Sequence, residues 1–487
     1  MKANVLITNK KPTGLIVVAL SACLYAAIIL SSPVPLIASV LYLAAVVLLQ
    51  KHLKFLFYLY FLAVFFIPIS IGVNTPFILL NVDRVIFAVL TGCYFLALLQ
   101  GEVKISPIFI DKALGLYWVA IAGSLLVNIH WIMGSDLLFR SIKTIFVLSI
   151  ERMLIIYIVC SFCKDKKEIK RALIFFVICL GIVAAYGIFE SAVKDNIFTH
   201  ISTIDNPEVN DVALSRANRL GMYRAKSTQV LPHIFGTELC MIFPIVLFYL
   251  MKEKGRFKLP LFFILLLVLG GIAVTYARGV YLALSLVCLL CVIFFKSYPK
   301  RVFFILTVGL LFLALFSSRS IRVFSQEYVA KLFNISTVSY DREHSMQSRF
   351  EDYAYTAQRL ENHLWLGQGY GTYTPGKRGD KYLDNSYLFS LIETGLLGFC
   401  ALLFLIYSVV FKIGNLLCMR QNTDSDAQLM RFVSIGFIVF FFQCFTYDAL
   451  VFAGASKLFW AMLGFIIAYL NMTQEAANGS IGSYRQL

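Results

Sequence analysis

An all-α, polytopic integral membrane protein is the fold class that the sequence predicts, on three observations. Of the 487 residues, 60% are hydrophobic and 14% charged, against about 45–50% and about 25% in a soluble domain. Mean hydropathy is +0.80. Apolar runs of bilayer length, about 20 residues each, recur along the whole chain. A soluble enzyme is excluded, and the membrane span becomes the unit of organisation.

The chain opens MKANVLITNKKPTG and then turns apolar from Leu15 to Leu30. That order also suits a signal peptide, but no convincing small-residue cleavage site precedes the next apolar run, so it reads as an uncleaved first span. The predicted spans are 14–31, 34–50, 55–73, 84–100, 113–129, 144–163, 171–192, 231–251, 259–276, 279–295, 301–317, 387–411, 432–448 and 456–471. Twelve to fourteen are expected in all, because a short hairpin and a broken helix look alike by hydropathy.

The excess of Lys and Arg, 43 against 27 Asp and Glu for a net charge of +16, would raise the question of nucleic acid in a soluble protein. Here it sets orientation instead. Lys10 and Lys11, Lys51 and Lys54, the KDKKEIKR run at 164–171, KEKGRFK at 252–258, Lys296 with Lys300 and Arg301, and Lys412 with Arg420 fall on alternate loops. Those loops are expected on the cytoplasmic side, with both termini, and no nucleic-acid partner is expected. Four segments follow: N-terminal spans in 1–192; spans with a first outer loop (193–230) and the Arg278 motif in 193–317; a large outer loop at 318–386; and C-terminal spans with a cytoplasmic tail in 387–487. The outer loops are longer than ordinary connections, which are usually functional or disordered at such length. Their aromatic and glycine content predicts that they are folded, the second with short helices on the membrane surface. That second loop carries nine basic and eight acidic residues, which suits a solvated, salt-bridged surface.

Arg216, Arg219, Arg224 and Lys226 gather just before a span, and Arg278 lies in TYARG where two spans meet. Charge at the membrane boundary is a functional candidate by default, and guanidinium groups fit phosphate oxygens; snorkelling to lipid headgroups competes for Arg216 and Arg219. Glu151 and Arg152 are adjacent in the sixth span, about 100° apart on a helix, and are expected to make structural contacts between helices, as is Glu190. The eleven cysteines lie in apolar runs or on the cytoplasmic side, so no outer disulfide is expected. The C-x-x-C pairs Cys160/Cys163 and Cys288/Cys291 read as core. The six histidines form no zinc pattern, so no metal is assigned. The densest constellation runs from Ser348 to Tyr373 and on through Tyr382 to Phe399. Its Gly367, Gly369 and Gly371 allow a tight loop, without the preceding strand that nucleotide binding would need. Asp384 is open to two readings, an N-cap for the next helix or a catalytic carboxylate at the membrane surface.

From about Tyr223 to Gly398, the segments YRAKSTQVLPHIFGTEL, TYARGVYLAL, SRFEDYAYTAQRLENHLWLGQGYGTY and DNSYLFSLIETGLLG resemble the O-antigen polymerase and O-antigen ligase superfamily of bacterial membrane glycosyltransferases. The resemblance implies a GT-C-like fold and an inverting, metal-independent and cofactor-free glycosyl transfer on the periplasmic face of the inner membrane. It implies a donor glycan on undecaprenyl diphosphate, its tail in a groove between spans, and a glycan or lipid-linked glycan acceptor. A flippase and a chain-length regulator are partners expected from the family. Carried over, Arg224 and Arg278 would bind and stabilise the diphosphate, Arg349 would contact phosphate or sugar, and Arg219 would assist binding. Asp384 would be the base, with Asn385 and Tyr387 beside it. Ligases typically have His before this Asn. Asp384 in its place favours a polymerase of O-antigen, capsule or exopolysaccharide over a ligase acting on lipid A core. A lipid-linked oligosaccharide flippase or transporter is the further alternative, although such proteins usually show repeat symmetry and polar residues at the midplane.

Overall fold

The computed structural model describes residues 33–75, 79–203, 218–219, 222–294, 340–376, 378–418 and 425–484. The expected spans 14–31 and 301–317, and Arg216, lie outside them. Helices dominate: α1 (Pro33–Leu49), α2 (Leu53–Phe66), α3 (Val82–Leu99), α4 (Asp111–Val127), α5 (Ile129–Gly134), α6 (Leu138–Phe146), α7 (Leu154–Phe162) and α8 (Lys166–Val193) make up the first half. After α9 (Ile197–His200) come α10 (Pro232–Lys252), α11 (Lys258–Ala273), α12 (Arg278–Phe294), α13 (Tyr340–Leu360), α14 (Ser386–Cys418), α15 (Ser425–Gln443) and α16 (Ala453–Tyr484). The only strands among the described residues form two small antiparallel hairpins. One pairs β1 (Gly72–Asn74) with β2 (Leu79–Asn81), the other β3 (Asn218–Arg219) with β4 (Met222–Tyr223).

Among the described residues, eight helical stretches are long and apolar enough to cross a bilayer, and α11 and α12 are shorter apolar helices. This is a multi-pass, all-α membrane protein. With no water in the hydrocarbon, every backbone group must pair internally, so helices are the economical answer to this composition. The centre of the bundle is α10, buried along most of its length and packed against α8, α11, α12, α15 and α16. Pro232 opens it at the first turn, where a missing N–H costs nothing. Close approach relies on small residues: a Cβ on Gly436 of α15 would collide with the Met241 carbonyl of α10.

The lysine-rich loops gather at one end of the bundle. Lys54 pairs with Glu168, Lys170 lies 2.5 Å from Asp426, the Tyr249 hydroxyl donates to the Lys170 carbonyl and Asn471 Nδ2 to the Pro107 carbonyl. Asp165 caps α8 by accepting from the Glu168 N–H at 2.7 Å. The other end collects the loops that the charge pattern predicts to be outer.

Two departures from the sequence reading shape that second end. The span expected over 144–163 is α6 and α7 joined by a π-helical turn, Val147–Met153; such wide turns are frequent at functional sites. The turn sends Glu151 to Arg84, 2.8 Å away, and Arg152 to the carbonyls of Leu450 and Val451, so both residues make the structural contacts expected of them. The second departure is α14, expected as one span over 387–411. It is broken at Gly395 (φ 63, ψ −166). The loop after α13 supplies the backbone partners that the break frees: Gln368 N–H donates to Ile392 O, Gly369 N–H to Glu393 O, and Leu396 and Leu397 N–H to Leu364 O and Trp365 O, all within 2.9–3.1 Å. From α4, Ser124 Oγ donates to Glu393 O and Asn128 Nδ2 to Gly367 O.

Candidate functional site

Arg224 sits on an extended strap, residues 222–231, whose consecutive members are each held. Tyr223, Lys226 and Ser227 all donate to Glu190 at the outer end of α8: the Tyr223 hydroxyl at 3.1 Å, the Lys226 N–H at 3.3 Å and the Ser227 N–H at 2.6 Å. Ser227 takes a left-handed φ of 55°, a conformation that persists only where its surroundings enforce it. Its hydroxyl donates to Val183 O, its carbonyl accepts from Asn196 Nδ2 and the next hydroxyl, Thr228, donates to Phe65 O. Burial pulls the Lys226 ammonium below its usual range, with Glu190 opposing. Glu190 needs both oxygens for three donors, and Gln would offer one acceptor and turn N–H groups toward N–H groups. Glu190→Gln is therefore expected to cost about 1–3 kcal/mol and to lower the melting midpoint of the detergent-purified protein. An unchanged midpoint would mean that the other contacts hold the strap.

The strap meets the turn between α11 and α12. The Ala225 N–H donates to Val274 O at 3.0 Å and Arg224 Nε to Thr275 O at 3.1 Å. Three residues later Arg278 opens α12, so these two predicted residues, some fifty positions apart in sequence, meet at one turn, Arg224 by its contact with Thr275 and Arg278 as the start of the next helix. The turn is tight: Tyr276 has φ 46°, Thr275 Oγ1 donates to Ile272 O and accepts from the Ala277 N–H. Arg219 lies on β3 and Arg349 on α13; their side chains fall outside what the structure describes.

Next to Arg278, Gly279 touches the segment that links α15 to α16. Gln443 Nε2 donates to Gly279 O at 3.3 Å, and a Cβ there would crowd the Thr446 side chain at 3.0 Å. The same segment then meets the start of α14, where the Ser386 N–H donates to Cys444 O and the Ser386 hydroxyl to Asp448 Oδ1 at 3.0 Å. One of the two readings of Asp384 is overturned here. Asn385, not Asp384, caps α14, accepting from the N–H of Tyr387 at 2.9 Å and of Leu388 at 3.3 Å. Asp384 is exposed. Tyr387 is buried and its hydroxyl is spent on Phe441 O.

A cavity of about 170 Å³ opens on the far side of this segment. The polar groups lining it include Arg140, Arg152, Glu393, Asp448, Tyr117 and Tyr370, with apolar residues of α14, α15 and α16 deeper in. The glycine loop builds one wall: Tyr373 N–H donates to Glu393 Oε1, and Arg140 donates to the carbonyls of Gly371 and Tyr373. Asp448 is pushed up to about 7, by burial and by Asp384, against the pull of the Ser386 hydroxyl and Arg152. Sequence reasoning had placed Arg152 as a structural contact and had not singled out Arg140, Glu393 or Asp448. The one available signal was Asp448 in FTYDAL, a lone carboxylate between two apolar spans.

Residues 262–403 match the family model described as O-antigen ligase. This stretch is therefore similar to the O-antigen ligase family, in line with the resemblance to the ligase and polymerase superfamily. The matched stretch holds Arg278, Arg349, Asp384 and the whole glycine loop up to the break in α14, whereas Arg224, Arg152 and Asp448 lie outside it. A search of curated proteins finds no match. That similarity supports an enzyme of the ligase or polymerase type that acts on a lipid-linked glycan in the membrane.

Proposed function

We propose that this protein polymerises lipid-linked repeat units of an O-antigen, capsule or exopolysaccharide, transferring glycan from undecaprenyl diphosphate to an acceptor sugar hydroxyl with inversion and without a metal. The observation that carries the reading is the meeting of Arg224 and Arg278 on the turn between α11 and α12. Cations fixed before the reaction begins stabilise charge as it develops on a leaving diphosphate, at no cost in reorganisation. Arg349 and Arg219 are the further contacts in this reading. The lysine-rich end would face the cytoplasm of a bacterial inner membrane, which puts the arginine turn on the periplasmic face. A flippase would supply the donor there, and a chain-length regulator would act on the product.

Polymerase is favoured over ligase by the carboxylate Asp384 where ligases of the resembling family carry His. Surface glycans of a clean deletion strain, separated by size, test the choice. Loss of long polymer, with core capped by one repeat or single repeats accumulating on the lipid carrier, is the expected result. Full-length polymer kept on the carrier beside uncapped core would mean ligase, and unchanged glycans would overturn both.

A further inference from the structure

Resting on the glycosyl-transfer reading, we infer that the cavity between α4, α6, α14 and α16 is the acceptor subsite: its mouth takes one neutral sugar ring of the acceptor glycan, and Asp448 accepts the proton of the attacking hydroxyl.

The charge balance of the cavity distinguishes it from the arginine turn. Two guanidinium groups, Arg140 and Arg152, are matched by two carboxyl groups, Glu393 and Asp448. A phosphate would have to compete with the backbone carbonyls that both guanidinium groups already serve. A polyhydroxyl ring finds donors and acceptors close together, with the faces of Tyr117 and Tyr370 for its C–H surface. Arg140 is committed to the carbonyls of the glycine loop, Arg152 to Leu450 and Val451, and Glu393 to the Tyr373 N–H. The walls are thus held before any ligand arrives, as precise positioning requires. Asp448 differs. Its carboxyl accepts from the Ser386 hydroxyl at Oδ1 and from the Val451 N–H, with no cation among the described residues bonded to it, and it lines the cavity where an acceptor hydroxyl would enter.

Position supports the assignment. Segment 443–448 is shared: Gln443 and Thr446 touch Gly279, next to Arg278, while Cys444 and Asp448 line the cavity. Segment 443–448 therefore borders both sites and keeps them neighbours, so that acceptor oxygen and diphosphate can take opposite faces of the anomeric carbon, as inverting displacement demands. In the step, the acceptor oxygen bonds to the anomeric carbon as the carbon–oxygen bond to the diphosphate breaks. The electron pair leaves with the diphosphate toward Arg224 and Arg278, and the proton passes to Asp448, which returns it to water. Asp384 is exposed and its carboxylate is not among the cavity residues, so it is displaced as the base.

A base must be deprotonated to work. The groups facing Asp448 are Arg152 from the π turn, Asp384 and Glu393 at α14, Tyr117 of α4, Tyr370 of the glycine loop, and Cys444 and Tyr447 of its own segment. With Asp448 held near 7, turnover should rise with pH through neutrality and then level.

The test uses full-chain protein in lipid nanodiscs, with lipid-linked repeat units from the deletion strain as donor and the same oligosaccharide, released by mild acid, as the varied acceptor. Ser390→Leu narrows the cavity without removing charge. It should raise the acceptor KM at least about tenfold while undecaprenyl diphosphate binds as in wild type. Asp448→Asn, nearly isosteric, should lower kcat about a hundredfold or more and flatten the pH profile. An unchanged acceptor KM in Ser390→Leu, or an unchanged kcat and pH profile in Asp448→Asn, would overturn the subsite. Undiminished lipid binding and transfer in Arg278→Ala would instead overturn the transfer reading beneath it.

Discussion

Cells whose only copy of this protein carries Arg278→Ala should make no long polymer while holding the protein at its normal level. Arg278 is the first residue of α12, where Ala is a good helix former, so the substitution removes a guanidinium without disturbing the helix it starts. Loss of one preorganised group that stabilises developing negative charge typically costs about a hundredfold to a thousandfold in rate. Polymerisation compounds the loss, because every added repeat passes through the same step. Arg278→Lys should recover part of the activity, since it restores charge but not the planar fork that grips two oxygens at once. The readouts are glycan length on gels and protein level by immunoblot. Wild-type length and amount in Arg278→Ala would remove the arginine turn from the chemistry.

Gly395→Ala should fail at an earlier stage, by losing folded protein. The backbone there has φ 63 and ψ −166, a region that is essentially open to glycine alone and costs other residues about 1–3 kcal/mol. Space is closed as well. A Cβ would stand 2.5 Å from the Leu366 and Gly367 nitrogens and the Trp365 carbonyl carbon. All of these are backbone atoms that cannot rotate aside, and the loop they belong to satisfies the broken helix. Moving it would strip partners from Ile392 O, Glu393 O and the N–H groups of Leu396 and Leu397, at membrane depth where water cannot replace them. The expected result is a sharp drop in monodisperse protein on size exclusion in detergent. A wild-type elution profile and melting midpoint would show that the loop can yield.

Much of the architecture was legible in advance because its cause is local. Hydropathy alone locates α8, α10 and α16, since a helix in lipid must be apolar over its own length. The clustering of Lys54, Lys170 and Asp426 at one end follows from the alternation of basic loops. The break in α14 was not legible: a glycine inside SLIETGLLGF looks like any small residue of a membrane helix, and only the loop lying against it explains the bend. The same holds for the cap. Asp384 and Asn385 are both good cap residues, and the geometry at the start of α14 selects Asn385.

The candidate site divides in the same way. Composition, charge alternation and the short motifs around Arg224, Arg278 and Asp384 determined by themselves the membrane class, the ends of the bundle and the resemblance to the superfamily, because each is written in residues close together in the chain. Only the tertiary structure decided that the Arg224 strap meets the α11–α12 turn, that Glu190 holds that strap, and that Arg140, Arg152, Glu393 and Asp448 share one cavity. Those residues come from α6, the π turn, α14 and the loop before α16. Their charges acquire meaning only when packing brings them within reach of one another in a medium that screens them poorly.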